Sequence, residues 1–98
     1  MIIVTRQNNE ITVEGHARAG KYGFDAICGG VSTLIWTLIE SVDALTPNTP
    51  IAHVESGYAN IKIGSPTEKT KLLIDFFFAG ISFLADEHPE YVRVDDKR

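Results

Sequence analysis

Gly15-His16-Ala17 precedes the run Asp25-Ala26-Ile27-Cys28-Gly29-Gly30-Val31-Ser32, and between them they hold the only cysteine of the chain and one of its three histidines. A thiol and an imidazole brought together can form a thiolate–imidazolium pair, the working part of a cysteine hydrolase. The competing reading is structural. A lone cysteine at a helix start often behaves as a small buried hydrophobe, and a histidine after a strand is commonly a surface residue.

The elements that must position these groups are visible in the hydrophobic pattern. From Asp25 to about Leu45, Ile27, Val31, Leu34, Leu38, Val42 and Leu45 recur at spacings of three and four, predicting a helix with one stripe turned to the core. Asp25, Cys28 and Ser32 fall within about 60° of one another on a neighbouring stripe. Asp25 suits the helix cap or first turn, where it accepts orphan amide hydrogens. Those amides and the helix dipole favour negative charge on a first-turn cysteine, and the same N–H groups can hold an oxyanion.

His16 ends a predicted strand, so a strand–loop–helix return can deliver it to Cys28 as a base. Gly29-Gly30 weakens the helix by about 1 kcal/mol per glycine, which points to close approach by a substrate backbone or a facing strand. Ser32 can line a site or bond a carbonyl one turn earlier. Trp36, near the same stripe, reads as packing or as a subunit contact.

Around this run the chain alternates short strands with helices. Ile2–Arg6 and Ile11–Glu14, joined at Gln7-Asn8-Asn9, read as a hairpin, and Gly15 to Phe24 as a loop. Prolines at 47 and 50 end the first helix. Ile51–Glu55 and Tyr58–Ile63 form a second hairpin about Ser56-Gly57. Ser65-Pro66-Thr67-Glu68 signals a second helix capped by Ser65, running to about Glu87. Three consecutive phenylalanines, Phe76 to Phe78, make that helix apolar on most sides, so its second face is expected to meet another subunit. Tyr91–Val94 reads as a last edge strand. The expected fold is α+β: an antiparallel sheet of two hairpins packed with two helices, in the order ββαββα with a possible terminal strand.

At 98 residues, with 44% hydrophobic and 22% charged residues, the chain reads as a single globular domain spanning 1–98. A net charge of −4 and nine scattered basic residues argue against direct nucleic-acid binding. One cysteine excludes an internal disulfide and fits a reducing compartment. The N-terminus lacks the pattern of a signal peptide, and no run reads as a membrane span, so a cytoplasmic protein is expected. His53 lies on the same side of its strand as Ile51 and Glu55, and His88 at a helix end suits the dipole. No short ligand spacing joins His16, Cys28 and His53, so neither a metal nor a cofactor is expected.

Gly15-His16-Ala17, a glycine-containing polar loop, then Asp25-x-x-Cys28 followed by two small residues and Val31-Ser32 resembles the ribosomal-processing cysteine proteases of the Prp family, over nearly the whole chain. The resemblance implies Cys28 as nucleophile and His16 as general base, with Gly15, Asp25 and Ser32 supporting the site. It further implies a homodimer with a mobile loop, here Ala17–Phe24, over the active site. Its substrate would be a large-subunit ribosomal protein bearing an N-terminal extension that is removed after a phenylalanine. Gly29-Gly30 departs from the alanines more usual in that family. The alternative is a catalytically silent dimeric module that binds a ribosomal protein or an assembly partner, with a structural cysteine.

Overall fold

The computed structural model describes residues 1–16 and 26–97; the expectations for Asp25 and for the Ala17–Phe24 loop lie outside them. Seven elements follow in the order β1 (Ile2–Gln7), β2 (Glu10–Glu14), α1 (Ala26–Leu45), β3 (Ile51–Glu55), β4 (Tyr58–Lys62), α2 (Glu68–Glu87) and β5 (Val92–Lys97). The strands form one sheet in the order β3-β4-β2-β1-β5. Both expected hairpins are present, and β2 joins them by pairing antiparallel with β4. The terminal strand runs parallel to β1, so the sheet is mixed rather than wholly antiparallel.

Alternation along the strands divides the sheet into two faces. Ile2, Val4, Ile11, Val13, Ala59, Ile61 and Val92 share the buried face, and both helices cover it. Burying each such valine or isoleucine side chain contributes roughly 1.5–3 kcal/mol. From α1 the core takes Ile27, Val31, Ile35, Leu38 and Val42. Ile35 belongs to the stripe, whereas Leu45, expected there, is exposed at the last residue of the helix. By length and composition α1 could cross a membrane, in contrast to the sequence reading; here it packs its apolar side on the sheet as a core helix. At the α1–α2 crossing, a Cβ on Gly80 would stand 2.9 Å from Leu34 Cδ2, so glycine lets the helices approach.

Helix α2 starts later than the Ser65 signal suggests. Ser65 sits at φ 49, outside the extended geometry of a cap. Thr67 is the cap, and its hydroxyl accepts the Thr70 N–H at 3.3 Å. Asn48, in the linker after α1, fixes this start from a distance: its Oδ1 accepts from the Thr67 N–H at 3.0 Å and from the Thr70 hydroxyl at 2.5 Å. Of the three phenylalanines, Phe77 and Phe78 are buried edge to face, while Phe76 is 70% exposed. Arg6 points inward from β1 and is only 7% exposed. Its guanidinium donates twice to Asp96 of β5, both at 2.7 Å, and once to Asp75 of α2 at 3.1 Å, and it lies 4.3 Å from the Phe78 ring centroid. The Asp96 bond is the main influence holding the guanidinium above its ordinary pKa, against a smaller desolvation.

Candidate active site

One cavity of about 230 Å³ gathers the residues that sequence spacing singled out. Gly15 and His16, at the end of β2, face it together with Cys28 and Ser32 from the first turns of α1. His16 and Ser32 are exposed and Cys28 is half-buried. Cys28 is the third residue of α1, at the end of the helix from which backbone N–H groups project. The hydroxyl that bonds back to the helix in this stretch is that of Thr33, which donates to the Gly29 carbonyl at 2.9 Å.

His16 is held by backbone on two sides. Gly15, at φ 101, donates its N–H to the Gly57 carbonyl at 2.9 Å. The Met1 α-ammonium donates to the His16 carbonyl at 2.7 Å. A Cβ on Gly15 would collide with the Met1 carbonyl oxygen. Gly57, in the β3–β4 turn at φ 76, lies directly under the imidazole: a Cβ there would stand 2.6 Å from His16 Nε2. The turn residue is therefore also the seat of the histidine. Sequence reading treated Gly57 only as a hairpin turn, because its contact with His16 depends on β4 pairing with β2, a neighbour far along the chain.

Several further residues complete the cavity. Val31, Ile35 and Trp36 of α1 line it together with Val54, Glu55, Ser56 and Tyr58 from the second hairpin. Trp36, read from sequence as packing or a subunit contact, lines the cavity while remaining 49% exposed. Its place on the Cys28–Ser32 stripe was the available signal. Among the described residues a facing strand does not account for the glycine pair: a Cβ on Gly29 meets nothing within 4 Å, and one on Gly30 meets only Leu84 at 3.6 Å. His53 is exposed on its strand and faces Glu55 at 3.1 Å and the Tyr58 ring. It is not among the residues around the cavity. His88 closes α2, its N–H donating to the Leu84 carbonyl at 2.8 Å. Among the described residues no group of three or more acidic, histidine or cysteine side chains is disposed to hold a metal ion.

The arrangement, a thiol at a helix N-terminus sharing an open cavity with an imidazole, has the parts for nucleophilic attack on a carbonyl. The family described as Cysteine protease Prp matches residues 1–93. The ribosomal processing cysteine protease Prp of Staphylococcus aureus is 22% identical over 91 residues, covering 90% of this chain and 86% of that protein. A crystal structure of the S. aureus protease with a covalently linked product peptide superposes with a TM-score of 0.88 at 20% identity, covering 98% of this chain and 97% of the other. SMU.848 from Streptococcus mutans superposes with a TM-score of 0.79 at 31% identity, over 97% of this chain and 90% of that one.

Proposed function

The chain belongs to the cysteine protease Prp family, and from that premise we propose that it removes the N-terminal extension of a large-subunit ribosomal protein by cutting after a phenylalanine. The observation that carries this reading is the cavity shared by His16 and the single cysteine at the start of α1. The name of the S. aureus relative, a ribosomal processing protease, supports the substrate class.

In the proposed reaction His16 takes the Cys28 proton, and the thiolate sulfur attacks the carbonyl carbon of the phenylalanine. N–H groups at the start of α1 hold the oxyanion. His16 then gives its proton to the departing amine, the C–N bond breaks, and the mature ribosomal protein leaves. Water, deprotonated by His16, attacks the thioester and frees the extension as a carboxylate, restoring the thiol. Val31, Trp36 and Val54 supply an apolar wall for the phenylalanine side chain. Gly15 supports the His16 backbone, Ser32 lines the acyl side, and Asp25 orients His16 or completes the helix start.

The test uses the lone thiol. Mass spectrometry follows release of the extension from a synthetic peptide that spans the junction, before and after alkylation of Cys28 with iodoacetamide. Release that stops on alkylation is the expected outcome; release that continues at the original rate would remove Cys28 as the nucleophile, and no release before alkylation would favour a silent binding module.

The same proposal includes a homodimer, built on α2. Leu72, Phe76 and Phe83 are 68%, 70% and 62% exposed along one side of that helix, with Ala79 between them and Lys69 and Asp86 at the ends. This is heptad spacing. Two copies laid antiparallel bring Leu72 against Phe83, Phe76 against Ala79 and Lys69 against Asp86. Sedimentation equilibrium is expected to give twice the chain mass, and a monomer at assay concentration would remove this part.

A further inference from the structure

Among the described residues strand β3 is an edge of the sheet, paired on one side only, with β4. Its register is closed by a two-residue turn, so Glu55 and Tyr58 exchange ladder hydrogen bonds, and so do His53 with Asn60 and Ile51 with Lys62. The N–H and C=O groups of Ala52 and Val54 therefore point away from the sheet. No turn, loop or cap hydrogen bond among the described residues uses them.

Exposed edges are ordinarily blunted by charge, proline or a bulge. The opposite edge, β5, follows that rule with Asp95, Asp96 and Lys97. Strand β3 is less guarded: Ile51-Ala52-His53-Val54-Glu55 carries no lysine and no internal proline, pairs without a bulge, holds its one acidic residue at the end beside the cavity, and leaves Ile51 73% exposed. Its far end runs into the reaction cavity, where Val54, Glu55 and Ser56 stand with His16 and Cys28. An unprotected edge that leads into a cleft for peptide chemistry has a natural occupant, the peptide itself.

Resting on the protease reading, we infer that the substrate segment flanking the scissile bond adds as a further strand along the free edge of β3, bonding the backbone of Ala52 and Val54. Main-chain bonds hold the segment in extended form and in register, and alternate substrate side chains fall on the helix side of the sheet beside Val54. The edge thus supplies affinity that does not depend on substrate sequence, while the cavity reads the residue at the cut.

Two measurements test this. The first is an N-methyl scan of the junction peptide, one backbone nitrogen at a time, against the unmodified enzyme. An added strand bonds its neighbour through alternate residues, so kcat/KM is expected to fall at every second position along the docked side. The second is Ala52→Pro, which removes an outward N–H and leaves the β3–β4 ladder intact. It is expected to lower kcat/KM at least about tenfold, the worth of one or two backbone hydrogen bonds, with an unchanged melting temperature. If that variant fails to fold, the scan decides alone. A scan without two-residue periodicity, or an Ala52→Pro enzyme that is folded and equally fast, overturns the edge assignment while cleavage by the wild type keeps the protease reading. No cleavage by the wild type overturns both.

Discussion

Alanine in place of His16 is expected to lower kcat/KM for the junction peptide by about 10²–10⁴-fold, the usual contribution of a positioned acid–base group. Alanine in place of Cys28 should end hydrolysis altogether. His16 is exposed, and its side chain is seated on the Gly57 turn rather than inserted in the core, so the melting temperature of His16→Ala should stay within about 2 °C of wild type, as for a surface substitution. The pairing has a second, independent readout. Loss of His16 should slow iodoacetamide modification of Cys28, because the imidazole no longer takes the thiol proton.

Gly57→Ala approaches the same geometry from beneath. The new methyl would stand 2.6 Å from His16 Nε2, which forces the ring off its seat, and a misplacement of that order can lower a rate about 10²-fold. An alanine at φ 76 also strains the turn, so the variant is read by the ratio of its loss in kcat to its loss in stability. Wild-type kcat in a folded His16→Ala would remove the imidazole from the mechanism; a Gly57→Ala enzyme that loses stability alone would reduce Gly57 to a turn residue.

Arg6→Ala has the largest expected effect on the fold, a loss of about 3–5 kcal/mol in urea denaturation, the range for removing one partner of a buried ion pair. Arg6 is 7% exposed, and its departure takes from Asp96 and Asp75 the guanidinium they share and uncovers the Phe78 ring. The Asp75 side chain is 46% exposed and Asp96 24%, so water recovers part of their solvation and the lower end of the range is expected. Arg6→Lys keeps the charge but cannot reproduce the two-pronged contact with Asp96, and should fall between. Arg6 does not line the cavity; the folded fraction of Arg6→Ala should therefore cleave at the wild-type rate. A loss below about 1 kcal/mol would show that the pair contributes no more than a surface salt bridge.

How far the molecule could be read in advance depended on the range of the interaction behind each feature. Helix α1 was legible because its stripe residues repeat the helical period and five of the six pack against the core. Leu45 fell out because periodicity does not reveal where the sheet beneath a helix ends. The second helix start was misplaced by two residues: Ser65-Pro66-Thr67 offers two capping hydroxyls, and the choice between them rests on Asn48, held across the fold. Cys28, His16 and Ser32 were found together because their types are rare or their spacing helical. Gly57, Trp36 and Val54 reach the cavity through strand order, which no local pattern encodes. The direction of β5 was hidden for the same reason, since its partner is β1 at the other end of the chain.

That last pairing carries a consequence for the birth of the protein. Strand β1 bonds β2 across a tight turn, but its other edge is completed only by residues 92–97. The Arg6 guanidinium meets Asp96 across a sequence separation of 90. On a ribosome, then, both hairpins and both helices emerge before β1 has its second neighbour. Such long-range closure slows folding, and until it happens one flank of β1 presents unpaired backbone and Arg6 lacks its main counterion. The nascent chain should be most vulnerable to aggregation and proteolysis in that interval, which ends when β5 pairs with β1.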